Sequence, residues 1–150
     1  MGETGKFYSW EIVNDITAIK NCDKSFFQHR GSGVPIEIRW FFDSENMQNG
    51  EQRPLILIYK NNEYKAHIEM ESSQLSRTRM FWKADLKKEF DEVLKDYRLK
   101  SGKESGYPAI KFTKISSDTY KVEFIKIDSL NDENIIHLKQ LKLKIEWKES

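Results

Sequence analysis

Cysteine and long apolar runs are nearly absent from this sequence. Cys22 is the single cysteine among 150 residues, which excludes an internal disulfide framework and a zinc cluster built from cysteines. No apolar run approaches the ~18 residues of a membrane span. The first residues, MGETGK, lack the apolar run of a signal peptide, and Lys6 stands where a myristoylation motif has serine or threonine. We therefore expect a soluble protein of a reducing compartment, the cytoplasm.

A dominant charge of one sign is also lacking. The 25 Lys and Arg residues nearly balance the 24 Asp and Glu residues, and the formal net charge is +1. No global field favours nucleic acid or membrane, so a polyanionic partner would have to meet a local basic patch. Apolar and aromatic residues are plentiful, at 38% and 13% of the chain. This composition and length predict one folded domain with a substantial core.

Patterns of catalytic and metal-binding residues are lacking as well. His29, His67 and His137 have no carboxylate or cysteine at the spacing of zinc ligands. The sequence has no Gly-x-Ser-x-Gly nucleophile motif and no glycine-rich phosphate loop. Residues 63–65, Glu-Tyr-Lys, match half of a metal-dependent nuclease motif, but such triplets arise by chance in chains rich in these residues. We expect no catalytic residue, no metal and no cofactor, and hence no enzyme activity in this domain by itself.

Alternation of apolar and polar residues predicts several β-strands. Residues 64–70 show this alternation best, with one side of the strand formed by Tyr64, Ala66, Ile68 and Met70. The other extended segments are expected at 7–19 (with a turn at 14–15), 55–59, 108–115, 120–127 and 135–147. Strands therefore account for most of the predicted regular structure.

Two helices are predicted between the strands. A short helix follows Pro35 over 36–42, and an amphipathic helix covers 84–94. Their expected buried residues are Ile38, Phe41 and Phe42 in the first, and Leu86, Phe90, Val93 and Leu94 in the second. Loops are expected at 21–33, 43–54 and 95–106. The order of elements predicts a mainly β (α+β) domain, an open β-barrel of seven-stranded type (a pseudobarrel) with two short α-helices.

Segment 71–82 has the composition of a recognition loop anchored in the core. Its first half is small and polar, and it ends in an apolar Met-Phe-Trp anchor, of which one aromatic residue is expected to be buried. If the chain is extended, Arg77 and Arg79 point to one face and Thr78 to the other. Two guanidinium groups on one face can bind phosphates or the guanine edge in a major groove. The alternative is a hairpin whose arginines are only solvated.

A second polar segment, 21–33, forms a candidate first arm. Phe26 and Phe27 are expected to hold it against the body, and Gly31 and Gly33 allow a positive φ or the close approach of a partner. Its side chains that can contact phosphates or base edges are Lys24, Ser25, Gln28, His29, Arg30 and Ser32. Two basic polar segments, each held by aromatic residues, favour nucleic acid over an ordinary polar surface.

In this order, the segments resemble the B3-like DNA-binding pseudobarrel of plant transcription factors and of the target-recognition domains of EcoRII-type and related restriction endonucleases. The resemblance rests on the polar segment 21–33, on Val34-Pro35 leading into the short helix, and on 72–82 between a strand and a helix. The strand at Tyr120 resembles the one that closes the barrel. Accordingly, residues 1–130 form the predicted B3-like domain. Residues 131–150 form a C-terminal strand or linker extension that can lead to a fused or associated nuclease or helicase domain.

The resemblance implies a sequence-specific domain that binds double-stranded DNA through two basic arms in the major groove. It implies the target-recognition module of a prokaryotic restriction-modification system. The expected DNA contacts are Lys24, Ser25, Gln28, His29, Arg30, Ser32, Ser73, Gln74, Ser76, Arg77, Thr78, Arg79 and Lys103. One alternative is a reader of modified cytosine, whose sign would be a pocket lined by Trp40 or Tyr107. Another is a protein- or ligand-binding β-barrel, with less basic arms and more exposed apolar surface.

Overall fold

The computed structural model describes residues 2–71, 77–102 and 106–125, and strands dominate this part of the chain. The strands are β1 (Gly5–Phe7), β2 (Trp10–Ile12), β3 (Thr17–Asn21), β4 (Gly31–Val34), β5 (Gln52–Tyr59), β6 (Asn62–Met70), β7 (Thr78–Trp82), β8 (Ala109–Ser116) and β9 (Thr119–Ile125). The helices are α1 (Lys24–Gln28), a 3₁₀ helix (Ile36–Phe42) and α2 (Ala84–Ser101). The predicted mainly β fold is confirmed.

The nine strands form one curled sheet in the order β1-β2-β3-β8-β9-β5-β6-β7-β4. Neighbouring strands are antiparallel except β5 and β9, which run parallel. The sheet curls until β2, near one end, reaches β4 at the other, where the Trp10 indole N–H donates to the Gly33 carbonyl at 3.1 Å. The result is an open half-barrel, as predicted, with nine strands in the described ranges rather than seven.

The 3₁₀ helix fills the interior of the half-barrel. The residues of this helix that were predicted to be buried, and are buried, are Ile38, Phe41 and Phe42. Phe42 packs edge-on against Trp10, with ring centroids 5.6 Å apart. The Phe41 carbonyl accepts a hydrogen bond from the Tyr120 hydroxyl at 3.1 Å. The helix therefore packs against both β2 and β9, and the aromatic core spans the curled sheet.

Helix α2 is longer than predicted. The expected loop beginning at residue 95 is wrong as far as Ser101, because Tyr97 continues the buried face of the helix for another turn. Gly102, with a φ of 70°, ends the helix in the left-handed conformation that glycine adopts without strain. The buried residues of α2 are Leu86, Phe90 and Tyr97, with Val93 and Leu94 packed at the margin of the core.

The predicted loop at 21–33 is wrong for the most part, because it contains α1 and β4. The Asp23 carboxylate accepts a hydrogen bond from the Phe26 N–H at 2.9 Å and so caps α1. Phe26 and Phe27 are buried, and their predicted role in holding this segment against the body is confirmed. Strand β4 pairs along its whole length with β7, a partner that the local sequence does not reveal.

Most other strands lie close to the predicted positions. The extended segment 7–19 is divided into three strands, with one break at Tyr8, whose φ is 59°. Strand β5 begins at Gln52, inside the predicted loop 43–54, because Gln52 pairs with Glu69 of β6. Differences of this kind arise where a neighbouring strand extends the ladder beyond the apolar run.

Two further predictions fall outside the described residues. They are the strand at 135–147 and the domain boundary between residues 130 and 131. Within the ranges that the structure describes, no helix is both long and apolar enough to cross a membrane.

Candidate nucleic-acid interface

The two basic segments meet through the pairing of β4 with β7. The first segment leads into β4 and the second into β7, and these strands are antiparallel neighbours. Gly33 lies opposite Arg79, and the Trp82 N–H donates to the Arg30 carbonyl at 2.8 Å. Arg30 therefore lies at the Trp82 end of the pair and Arg77 at the other end, about 16 Å away at ~3.3 Å per residue. We call β4 and β7, with the flanking Arg30 and Arg77, the arginine ribbon.

The two faces of β7 alternate as predicted. Its buried side chains are Thr78, Met80 and Trp82. Arg79 and Phe81 lie on the outer face, and the exposed Arg77 precedes the strand. Trp82 is thus the aromatic residue of the anchor that enters the core. The outer face of the ribbon keeps Arg79 available to a partner.

Carboxylates and an aromatic stack surround Arg79. Its Nε lies 3.8 Å from Glu71 Oε1, and Glu69 is directly opposite it on β6. Its guanidinium carbon lies 5.8 Å from the centre of the Phe81 ring, which stacks on His67 with centroids 5.1 Å apart. These contacts orient the guanidinium group and offset part of its charge, because two carboxylates share its surroundings.

Two of the predicted DNA contacts point into the core instead. Ser32 is 4% exposed and Thr78 is 3% exposed. The Ser32 hydroxyl donates to the Gly33 carbonyl at 3.1 Å, and the Thr78 hydroxyl donates to Met70 Sδ at 3.5 Å. Strand geometry explains both positions, because every second side chain of β4 and β7 faces inward. The DNA contacts predicted for Ser32 and Thr78 stay predictions, which this burial does not favour.

Three of the predicted DNA contacts lie on α1 or at its C-cap and face α2: Lys24, Gln28 and His29. They line a cleft of about 610 Å³ between the two helices. The lining residues are Lys24, Phe27, Gln28, His29, Lys87, Arg98 and Tyr107. We call this the α1–α2 cleft. Three of these side chains carry a full positive charge and none is a carboxylate, so the cleft attracts anions.

Contacts of Tyr107 with Arg98 and Phe27 hold one side of the α1–α2 cleft. The Arg98 guanidinium carbon lies 4.8 Å from the centre of the Tyr107 ring. Phe27 stacks with the same ring, with centroids 5.9 Å apart and an interplanar angle of 22°. Arg98 Nε–H also donates to the Gly106 carbonyl at 3.3 Å. The guanidinium group is therefore held in place without an acidic partner in the cleft lining.

Lys87 and Arg98 were not among the predicted contacts, and Tyr107 was predicted only as a possible pocket residue of a modified-cytosine reader. Lys87 and Arg98 lie about three turns apart at ~3.6 residues per turn, so they share one face of α2. That spacing could have been recognised only with the helix extended to Ser101. Tyr107 has no comparable signal, because its place beside Phe27 depends on tertiary packing.

The remaining predicted contacts divide into exposed residues and residues that are not described. Ser25 and Arg30 are exposed. The contacts that fall outside the described residues are Ser73, Gln74, Ser76 and Lys103. Among the described residues, no cluster of three or more His, Cys, Asp or Glu side chains could hold a metal ion.

Trp40 and Tyr107 each line a hollow, but neither hollow resembles a cage for a flipped base. The Tyr107 ring already contacts Arg98 and Phe27. Trp40 lies in a hollow with Gly2 and Lys114, and its acidic lining residues are Asp15, Asp43 and Glu45. Three carboxylates repel a phosphodiester. These surroundings do not favour a reader of modified cytosine.

A more apolar groove of about 440 Å³ lies between α2, β9 and the β5–β6 turn. Its apolar lining residues are Tyr59, Val93, Tyr97, Pro108, Val122 and Phe124. Its rim carries both signs of charge, from Lys60, Asp96, Lys100, Lys121 and Glu123. A ligand-binding β-barrel would use such a groove, but the mixed rim gives no preference for one ligand charge.

Two buried ionisable groups lie at the end of β3, where Lys20 belongs to the strand and Cys22 follows it. Lys20 Nζ donates to Ser9 Oγ at 2.8 Å, and burial lowers the pKa of Lys20, an effect that nearby Cys22 and Asp23 oppose. Burial likewise raises the pKa of the Cys22 thiol. The thiol is therefore held in its protonated form, which is a poor nucleophile.

Comparison with known proteins supports the fold and assigns no residue role. No family model and no curated protein matches the chain. Among solved structures, the chain is similar to the N-terminal domain of Helicobacter pylori LlaJI.R1, with 19% sequence identity and a TM-score of 0.56. The match covers 83% of this chain and 89% of that chain. At this identity the likeness shows a shared fold, that of a mainly β domain.

Proposed function

We propose that this chain is a B3-like domain that binds double-stranded DNA sequence-specifically and does not cut it. One observation carries the proposal: β4 pairs with β7, so two basic segments far apart in sequence form the single arginine ribbon. Arg77 and Arg79 would contact base edges in the major groove, since a guanidinium fork matches two acceptors of guanine at once. Arg30 and His29 would contact the DNA from the other end.

We further propose that the domain is the target-recognition module of a prokaryotic restriction-modification system, acting in the cytoplasm. The structural neighbour LlaJI.R1, a restriction-system protein, supports this proposal through its shared fold. Such a module would deliver a fused or associated nuclease or helicase domain to its target. The exposed polar residues of the first segment, including Lys24, Ser25 and Gln28, would bind phosphates and fix the register on the duplex.

The first test is selection of bound duplexes from a random pool, repeated with methylated DNA. An enriched sequence is expected, and plasmid incubated with the protein and magnesium should stay intact. Failure to enrich any sequence would reject specific recognition. Cleavage that disappears in Lys65→Ala would reject the non-catalytic role.

The second test compares Arg77→Ala and Arg79→Ala with Lys121→Ala, an exposed cation on β9 far from the ribbon in strand order. Loss of one bidentate contact should cost about 1–3 kcal/mol on the selected duplex and much less on a scrambled one. Lys121→Ala should leave the affinity for both duplexes unchanged. Equal losses of binding free energy on both duplexes would show that the arginine ribbon contacts phosphates and does not recognise bases. No binding by the parent protein at low salt would reject DNA and favour the ligand-binding β-barrel.

A further inference from the structure

We propose that the α1–α2 cleft is a phosphate-binding site that is separate from the arginine ribbon. The phosphate could belong to a DNA backbone, in which case the inference rests on the proposed function, or to a free nucleotide, in which case it does not. The shared chemistry is a phosphate group bound by Lys24, Lys87 and Arg98.

The charges of the lining favour an anion. Lys24 comes from α1, Lys87 and Arg98 come from α2, and the seven lining residues include no carboxylate. One acidic neighbour of the group is Asp91, whose Oδ2 lies 2.8 Å from Lys87 Nζ as an i,i+4 pair. Exposed pairs of this kind contribute little, so Lys87 can exchange this partner for a doubly charged phosphate.

Arg98 is oriented before a ligand arrives. The Gly106 carbonyl accepts a hydrogen bond from its Nε–H, and the guanidinium carbon lies over the Tyr107 ring, which stacks with Phe27. A guanidinium group has five N–H donors, and this arrangement uses one of them. A guanidinium held by backbone and aromatic contacts loses little freedom on binding, which favours affinity.

The same contacts favour phosphate over a nucleobase as the ligand. The Tyr107 ring already contacts Arg98 and Phe27, which leaves it less surface for stacking on a base. The other donors around the cleft are the side chains of Lys24, Gln28, His29 and Lys87. Charged and amide donors around one polar space suit tetrahedral oxyanions.

The direct test is a titration of the whole chain with inorganic phosphate, pyrophosphate and a nucleoside monophosphate, followed by amide NMR. Chloride at matched ionic strength serves as the control salt. Saturable shifts are expected at Gln28, His29, Arg98 and Gly106. Shifts of equal size in chloride, or none with any phosphate, would reject the site.

Variants assign the binding to the cleft. Lys24→Ala and Arg98→Ala should each weaken binding of pyrophosphate at least tenfold. Arg98→Lys should weaken it less, because an ammonium group keeps the charge but neither stacks on an aromatic ring nor donates two parallel hydrogen bonds. Lys88→Ala is the matched control, since Lys88 is an exposed neighbour of Lys87 on α2 outside the cleft lining. Lys24 is exposed, so its variant should melt like the parent even if Arg98→Ala does not. Equal affinity in Lys24→Ala and the parent would contradict the proposal.

Duplex DNA distinguishes the two sources of phosphate. If the backbone is the source, Lys24→Ala should lower affinity for selected and scrambled duplexes equally and reduce the slope of log affinity against log salt by about 0.9. If a free nucleotide is the source, the small phosphates should bind and the DNA slope should stay unchanged. Either result supports the site. Arg77→Ala and Arg79→Ala test the proposed function independently of this site. They should reduce the preference for the selected duplex over the scrambled one and leave pyrophosphate binding intact.

Discussion

The Trp10 indole nitrogen lies 3.1 Å from the Gly33 carbonyl oxygen and donates a hydrogen bond to it. The two residues belong to β2 and β4, which lie near opposite ends of the strand order. A side-chain bond thus links the two ends of the curled sheet at this point. Because Gly33 lies opposite Arg79, the bond also holds the edge of the arginine ribbon.

Removal of the Trp10 indole donor should destabilise β4, which forms the edge of the arginine ribbon. Trp10→Phe should cost about 0.5–1.5 kcal/mol for the lost hydrogen bond, toward the low end because Ser32 Oγ also donates to the Gly33 carbonyl. Urea unfolding measures the loss, and faster amide exchange in β4 locates it. Trp40→Phe is the matched control, since Trp40 Nε1 has no hydrogen-bond partner among the described residues. Unchanged exchange in β4 would show that the bond does not hold the strand.

The two aromatic residues that end β7 should differ in their contribution to stability. Trp82 is 4% exposed, and its ring centroid lies 5.0 Å from that of Phe26 and 5.4 Å from that of Phe90. Trp82→Ala should cost roughly 3–5 kcal/mol, because it leaves a cavity in this cluster. Phe81→Ala should cost less, since Phe81 is only partly buried. Denaturant titrations of both variants measure the two losses of stability. Equal losses would contradict the assignment of Trp82 as the anchor.

Two glycines of β4 should respond oppositely to alanine. A Cβ at Gly31 would collide with the backbone carbonyl oxygen of Met80, whereas a Cβ at Gly33 meets nothing within 4 Å. Gly31→Ala should therefore lower the melting temperature, and Gly33→Ala should leave it unchanged. Gly33→Glu should also fold but bind DNA more weakly, because it adds a carboxylate opposite Arg79. Normal DNA binding by Gly33→Glu would move the contact surface away from the ribbon.

Neutralising the carboxylate beside Arg79 should strengthen DNA binding. Glu71 Oε1 lies 3.8 Å from Arg79 Nε, so Glu71→Gln removes both a competitor for the guanidinium group and a charge that repels phosphate. We expect an increase of about two- to tenfold in affinity at low salt, which screening reduces at high salt. Glu63→Gln is the control with the same change of net charge. Glu63 pairs with Ile58 near the β5–β6 turn, whereas Arg79 lies opposite Glu69 farther along β6. An equal effect in both variants would show only a net-charge effect.

The buried thiol should report on opening of the fold. Cys22 is 9% exposed and burial raises its pKa, so alkylation by iodoacetamide at pH 8 should be slow until denaturant is added. The raised pKa also destabilises the fold in alkali. The unfolded thiol ionises above about pH 8.5, and stability falls as pH rises from there toward the folded pKa.

Cys22→Ala tests this effect, because it removes the titrating group. The free energy of unfolding of the variant should decline less steeply above pH 8.5 than that of the parent. Rapid alkylation of the folded parent, or identical pH profiles of the two proteins, would contradict the burial of this thiol.

Local periodicity determined much of this protein from the sequence alone. Alternation predicted most of the strands, and it placed Thr78 on the face opposite to Arg77 and Arg79, because neighbouring side chains of any strand point to opposite faces. Apolar spacing likewise predicted the helix that buries Phe41 and the start of α2. Such features depend on residues a few positions apart, so a single segment contains the necessary information.

Tertiary structure decided where these segments meet. The pairing of Gly33 with Arg79 joins residues that are distant in sequence, and no local pattern specifies it. That pairing turned the expected loop into β4 and buried Ser32. The α1–α2 cleft arises in the same way, because Lys24 and Arg98 become neighbours only when Phe26 and Phe27 pack α1 against the body. Propensity describes one segment at a time, whereas burial of apolar surface selects among the possible arrangements of all of them.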